Sequence, residues 1–126
     1  MSARSFLFVP GNRPERFAKA LQSGADAVIV DLEDAVPAQA KLEARAAVAG
    51  WLSAEHPVYV RVNGHGTEWH DEDVRTIARA AGLRGVVLPK AQDPQPVAEL
   101  AAHLTGATSV LPFVESAQGL WNALEI

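Results

Sequence analysis

The chain has 126 residues, 11 Lys and Arg against 15 Asp and Glu, a formal net charge of -4, and 48% hydrophobic residues. Scattered, mildly acidic charge offers no basic stripe to nucleic acid, and no apolar run approaches the ~20 residues that span a bilayer. The apolar stretch before Pro10-Gly11 is too short for a secretory signal, and Cys is absent, which removes disulfides, thiolate metal sites and cysteine nucleophiles. A cytoplasmic protein with neither nucleic-acid nor membrane partners is expected.

The first apolar run, 5–9, predicts a strand, and 14–23 follows with helical spacing, Phe17, Ala20 and Leu21 facing inward and Gly24 as its C-cap. A second strand is predicted over 27–31. The Ala-rich segment 38–53 reads as a helix with Leu42, Ala46, Ala49 and Leu52 as its buried stripe. A third strand over 58–62 precedes a helix over 71–81, whose acidic first turn suits the helix dipole and which stops at Gly82. A fourth strand, 85–89, a helix, 94–104, a fifth strand, 109–114, and a helix from Gly119 onward complete the series. The strands are β-branched or aromatic and nearly continuous, the pattern of parallel strands buried on both faces. Such β-α alternation means a parallel sheet with right-handed crossovers. Two architectures fit: an open doubly wound sheet, or part of a (β/α)8 barrel. No internal repeat or low-complexity linker divides the chain, so residues 1–126 are read as one domain.

Each predicted strand runs into polar or backbone-special residues: Pro10-Gly11-Asn12-Arg13, Asp31-Leu32-Glu33-Asp34, Arg61 with Asn63-Gly64, Pro89-Lys90, and Glu115-Ser116. These are the C-terminal ends of parallel strands, where α/β folds build their sites. Acids and cations converging there cost desolvation energy unless they pair or bind something. Glu33, Asp34 and Glu115 can hold a hard divalent cation through oxygen. Arg61 offers the planar fork that binds a substrate carboxylate at two points. Lys90 can neutralise the acids or, with a lowered pKa, serve as a Schiff-base nucleophile. Simpler roles stand beside these: helix capping for Asp31, Glu33 or Asp34, and pairing of any of them with Lys90. His65 and His70 lack a third metal ligand, and His56 and His103 read as surface residues. Asp71-Glu72-Asp73 reads as a solvated helix start. Trp51, Trp69 and Trp121 read as packing residues, Trp69 also standing where it can wall the site.

Residues 5–16, SFLFVPGNRPER, and 24–37, GADAVIVDLEDAVP, resemble the opening of citrate lyase beta-subunit-like proteins. Val60-Arg61-Val62-Asn63-Gly64, Val87-Leu88-Pro89-Lys90-Ala91 and Val114-Glu115-Ser116-Ala117-Gln118-Gly119 continue the resemblance in order, over essentially the whole chain. The superfamily also includes malyl-CoA lyases and hydroxyoxoheptanedioate-type aldolases. The resemblance implies a (β/α)8 barrel, of which this chain supplies about the first five βα units. It also implies Mg2+-dependent carbon–carbon lyase or synthase chemistry on a CoA thioester or 2-oxo acid. By the same resemblance Arg61 holds the substrate carboxylate, Glu115 is one of two direct Mg2+ ligands, and Glu33 and Asp34 line the site and hold metal-bound water. Asn12, Arg13, Arg16 and Lys19 fall where relatives contact the substrate, the three cations at the CoA phosphates. A homo-oligomer, trimer or hexamer, or a subunit of a lyase complex is implied as well.

Two departures from the family pattern stand out. Gln92 occupies a position where relatives often carry an acid. The second metal ligand, an aspartate after strand 6, is expected beyond Ile126, so the domain is expected to be C-terminally incomplete. Two rival readings are a Schiff-base aldolase using Lys90, and an inactive barrel fragment acting as a binding or assembly module.

Overall fold

A computed structural model describes residues 2–126; Met1, the first residue of the expected domain, lies outside them. Strand β1 (Phe6–Pro10) leads through a 3-10 turn (Pro14–Arg16) into α1 (Phe17–Leu21), then β2 (Ala27–Asp31). A second 3-10 turn (Ala38–Ala40) opens α2 (Lys41–Trp51). The series continues with β3 (Val58–Arg61), α3 (His70–Ile77), β4 (Leu83–Leu88), α4 (Pro94–His103), β5 (Ser109–Pro112) and α5 (Ala117–Trp121). All five βα units expected from the apolar runs are present. Proline stands in the first turn of α4, where its missing N–H costs nothing, and the Ser116 hydroxyl caps α5 by accepting from Gly119 N at 3.1 Å.

Every strand pairs in parallel with its chain neighbour, in the order β1-β2-β3-β4-β5. A doubly wound sheet reverses its order at a switch point, so this order excludes one of the two architectures and keeps the barrel wall. The sheet is also curled. Four interstrand spacings would set β1 and β5 about 19 Å apart in a flat sheet. Yet the rings of Phe8, in β1, and Phe113, just past β5, meet edge to face at 6.2 Å.

The pleat sends Val9, Val28, Val30, Val58, Val60, Val86 and Leu88 to the helix side, where they join Phe17, Ala44, Val48, Val74, Ile77 and Leu100 in one buried cluster. The alternate residues, Phe8, Ile29, Asp31, Tyr59, Arg61 and Val87, line the inner face of the curl. Asp31 and Arg61 are direct cross-strand partners there. No described helix is long and apolar enough to cross a membrane.

Several local expectations need correction. The stripe of α2 is turned by about one residue: Lys41, Ala44 and Val48 face the sheet, while Leu42 is 67% exposed and Ala46 is exposed. The cause is Lys41, whose ammonium is drawn inward to the carbonyls of Leu32 and Glu33 at 3.0 and 2.8 Å. Asp73, read as part of a solvated helix start, is 1% exposed. His56, read as a surface residue, is half-buried and stacks on Trp51 with ring centroids 4.4 Å apart. Trp121, read as packing, is 88% exposed because no described element faces the outer side of the short α5.

Gly82 has φ +87, and a Cβ there would lie 1.8 Å from the carbonyl oxygen of Ser53. Gly82→Ala is therefore expected to cost at least about 2 kcal/mol, from left-handed strain plus a backbone clash. A urea midpoint unchanged by that substitution would contradict this account of the α3–β4 turn.

Candidate active site

Asp31 ends β2 with its carboxylate fully buried, and four donors satisfy it. Arg61 Nε donates to Oδ1 and Arg61 Nη2 to Oδ2, both at 2.7 Å, while the backbone N–H groups of Glu33 and Ala35 donate at 2.9 and 3.0 Å. The simpler role weighed for Asp31, pairing with Lys90, is thus replaced by pairing with Arg61, because Arg61 is its neighbour in register. One edge of the Arg61 fork is occupied by Asp31. The Nη1 side remains for a ligand, and Phe8 lies under the guanidinium at 4.7 Å.

Burial alone would raise the Asp31 pKa, but hydrogen bonds from Arg61 and the two backbone amides outweigh it and hold the carboxyl below its ordinary 3.8. The hydrogen bond to Asp31 raises the Arg61 pKa in turn, against burial. A depressed carboxyl contributes stability that is present above its unfolded pKa, near 3.8, and lost as pH falls through the lower folded value. Acid unfolding of wild type is therefore expected to be steeper below pH 3.8 than that of Asp31→Asn, as followed by circular dichroism.

Glu33, two residues on, is 5% exposed. Its Oε2 accepts from Lys90 Nζ at 3.0 Å; its Oε1 lies 3.5 Å from Arg61 Nε and, though buried, has no hydrogen-bond partner. Asp34 is exposed and 3.8 Å from Lys90 Nζ. Lys90 also reaches the exit of β5, since its backbone N–H donates to Glu115 Oε2 at 2.8 Å. It does so from a left-handed conformation, φ +52, which costs a non-glycine residue about 1 kcal/mol. The surroundings impose that conformation. Ala91 N donates to Phe113 O, Gln92 Nε2 to Ser116 Oγ and Asn122 Nδ2 to Gln92 O. The hydrogen bond to Glu33, then the charges of Glu33 and Asp34, raise the Lys90 pKa, so the amine stays an ammonium and is poorly suited to attack a carbonyl.

Asn12 is half-buried at the exit of β1, and its Oδ1 has no hydrogen-bond partner. The side chains of Arg13, Arg16 and Lys19 are exposed and, among the described residues, make no ion pair with this cluster. The structure thus links Arg61, Glu33, Asp34, Lys90 and Glu115 by direct contacts and leaves the three cations apart from them.

A cavity of about 330 Å³ opens beside the Glu33–Lys90 pair, walled by Lys41, Asn63, His65 and Trp69 among others. Its far wall rests on groups that sequence reasoning missed. Asp73 accepts from Arg45 Nε at 2.8 Å and from Asn63 N and Nδ2 at 3.0 and 2.6 Å, and His70 Nδ1 donates to Asn63 O at 2.7 Å. A signal was available: His70, Asp73, Val74 and Ile77 share one helical stripe, so the two polar residues belong to the buried face. No comparable signal marks Lys41, because a lysine at a helix start is ordinarily solvated.

The donors fit a hard dication in part. Glu115 has an oxygen not used by Lys90, Glu33 Oε1 is an acceptor without a donor, and all are carboxylate oxygens. Among the described residues no three metal-capable side chains cluster, so these residues account for only part of a coordination shell.

The profile of the HpcH/HpaI aldolase/citrate lyase family matches residues 4–126. A citrate lyase subunit beta-like protein of Deinococcus radiodurans is 39% identical over 98% of this chain and 46% of its own length. A (3S)-malyl-CoA thioesterase of Cereibacter sphaeroides is 38% identical over 98% of this chain and 44% of its own. Among solved structures, the citrate lyase beta subunit from M. tuberculosis complexed with oxaloacetate and magnesium is 40% identical. It covers 99% of this chain, which spans 53% of it, at a TM-score of 0.84. CitE from Mycobacterium tuberculosis in complex with magnesium, acetoacetate and coenzyme A matches at the same identity and TM-score, with 45% of its chain covered. The chain spans about half the length of the relatives it matches.

Proposed function

Because the chain belongs to the HpcH/HpaI aldolase/citrate lyase family, of whose (β/α)8 barrel it carries five βα units, we propose that it takes part in Mg2+-dependent carbon–carbon bond cleavage of a CoA thioester. The observation that carries this reading is the continuous chain of contacts Asp31–Arg61–Glu33–Lys90–Glu115 across the exits of four strands, with a buried Glu33 oxygen lacking a donor. Relatives solved with magnesium, oxaloacetate, acetoacetate and coenzyme A support it.

In this reading Arg61 orients a substrate carboxylate with its Nη1 side, while Asp31 prevents the guanidinium from turning. Glu115 would be the direct Mg2+ ligand, and Glu33 and Asp34 would supply further negative charge around the ion. When bound, the metal supplies Lewis-acid stabilisation of developing oxyanion charge. Lys90 keeps Glu33 and Glu115 in place through its ammonium and its backbone N–H. Asn12, Arg13, Arg16 and Lys19 receive the CoA end, the three exposed cations suiting its phosphates. The second carboxylate ligand, an aspartate, would follow a sixth strand of the same barrel domain, outside the five units described. A cytoplasmic homo-oligomer, trimer or hexamer, or a place in a lyase complex completes the proposal.

The test is incubation of the full-length protein with malyl-CoA and citryl-CoA, with Mg2+ or with EDTA, and mass spectrometry of the products. Acetyl-CoA plus a 2-oxo acid, lost with EDTA, is expected. A borohydride-trapped adduct at Lys90 with EDTA-insensitive turnover would replace the metal reading by the Schiff-base one. Free CoA released with the acid skeleton intact would indicate thioester hydrolysis. Binding without turnover would leave a binding or assembly module.

A further inference from the structure

Lys41 is a buried cation that the proposed chemistry does not use. Its Nζ donates to two successive carbonyls, Leu32 and Glu33, at 3.0 and 2.8 Å, and stands 5.1 Å from the centre of the Trp69 ring. Two successive carbonyls reach one ammonium only where the chain turns, and here it turns at the exit of β2. The opposite side of the same turn is held by Asp31, whose two oxygens accept from Glu33 N and Ala35 N. Glu33 is therefore gripped at both its N–H and its C=O, which fixes the direction of its Cα–Cβ bond, and from there its side chain runs between Arg61 and Lys90. Desolvation lowers the Lys41 pKa, opposed by Asp31, Glu33, Asp73 and Asp34, so burial of this amine is costly and is compensated by those acids and the two carbonyls.

We infer that Lys41 is a positioning residue: by holding the Leu32 and Glu33 carbonyls it aims the Glu33 carboxylate at the gap between Arg61 and Lys90. The inference rests on the lyase reading for its kinetic consequence, but its geometric consequence can be measured without turnover.

Full-length wild type, Lys41→Met, Glu33→Gln and the double variant are compared by kinetics and by the Arg61 Nε–H resonance of the ligand-free protein. Lys41→Met is expected to lower kcat about tenfold to hundredfold while KM stays within about threefold, because a misplacement of about 1 Å costs up to about 100-fold. On the Glu33→Gln background the same change is expected to cost less than about threefold more, since a residue acting through another is not additive with it. The Arg61 resonance is expected to move in Lys41→Met in the same sense as in Glu33→Gln.

Multiplicative losses in the double variant, or an Arg61 resonance that Glu33→Gln moves and Lys41→Met leaves in place, would overturn the inference. If wild type turns over no CoA thioester, the lyase reading falls and the resonance comparison alone decides Lys41. Should Lys41→Met fail to fold, Lys41→Arg keeps two donors for the carbonyls and is expected to retain kcat within about fivefold. A hundredfold loss in Lys41→Arg with the Arg61 resonance unmoved would equally overturn it.

Discussion

Replacing Asp31 by Asn is expected to destabilise the protein by about 3–5 kcal/mol, because it removes the two-point counter-charge of the largely buried Arg61 guanidinium and leaves it only Glu33 at 3.5 Å. The amide would also turn an N–H group toward donors, since Arg61 and the backbone amides of Glu33 and Ala35 all point at that carboxylate. A loss of this size lowers the melting temperature of a chain this long by about 10 °C or more. Differential scanning calorimetry reads it directly, and a shift of about 2 °C or less, under 1 kcal/mol, would mean that water reaches the pair and screens it. Charge alone does not account for the effect: Asp31→Glu keeps the charge but adds a methylene at a fully buried position and displaces the carboxylate from its four donors, and is expected to be destabilising as well.

Glu115→Gln is expected to do the reverse, sparing the fold and removing the metal. Glu115 is exposed and its described side-chain bond is to Lys90 N, which a glutamine oxygen can still accept, so unfolding should shift by no more than about 0.5 kcal/mol. Mg2+ affinity should fall at least about 100-fold, the upper range found for groups that touch the metal only indirectly. Titration calorimetry of the full-length protein with Mg2+ and a 2-oxo acid measures this without relying on turnover. Equal affinity in wild type and variant would remove Glu115 from the metal site.

The contrast between those two acids marks what could be read from sequence. Strands β2 and β4 were legible because Val28-Ile29-Val30 and Val86-Val87-Leu88 are buried on both faces and so carry continuous apolar runs. By contrast β1, although as apolar in sequence, keeps Phe6, Leu7 and Phe8 exposed, and β5 has no fully buried residue. Gly24 and Gly82, both at positive φ, fall in the turns that follow α1 and α3 rather than at the helix ends, since α1 stops at Leu21 and α3 already at Ile77, short of the expected 81. The location of the polar cluster followed from the chemistry of strand ends. Its internal pairing did not, because Asp31 meets Arg61 through a cross-strand register that no local pattern encodes. The α2 register was missed for a related reason. A 3.6-residue count places leucine inward and lysine outward, and cannot foresee two carbonyls at the end of another element competing for Lys41. Asp73 shows the same limit: its partner Arg45 lies 28 positions earlier.

The chain-neighbour order of the sheet carries a consequence for how the molecule reaches its native state. Consecutive strands are separated by a short helical excursion, so each pairing closes a loop of only a few tens of residues, and closure entropy grows slowly with that length. Strand pairing can therefore advance one βα unit at a time from the N-terminal side, at a low contact order for a parallel sheet. The contact between Phe8 and Phe113 is different in kind, since it joins the first unit to the fifth and can form only after the sheet between them has bent. Substitutions in β2 or β3 are accordingly expected to slow folding, whereas Phe113→Leu should act mainly on the unfolding rate. The curl of the sheet is thus expected to form late, and the inner-face cluster around Arg61 to acquire its final geometry only with it.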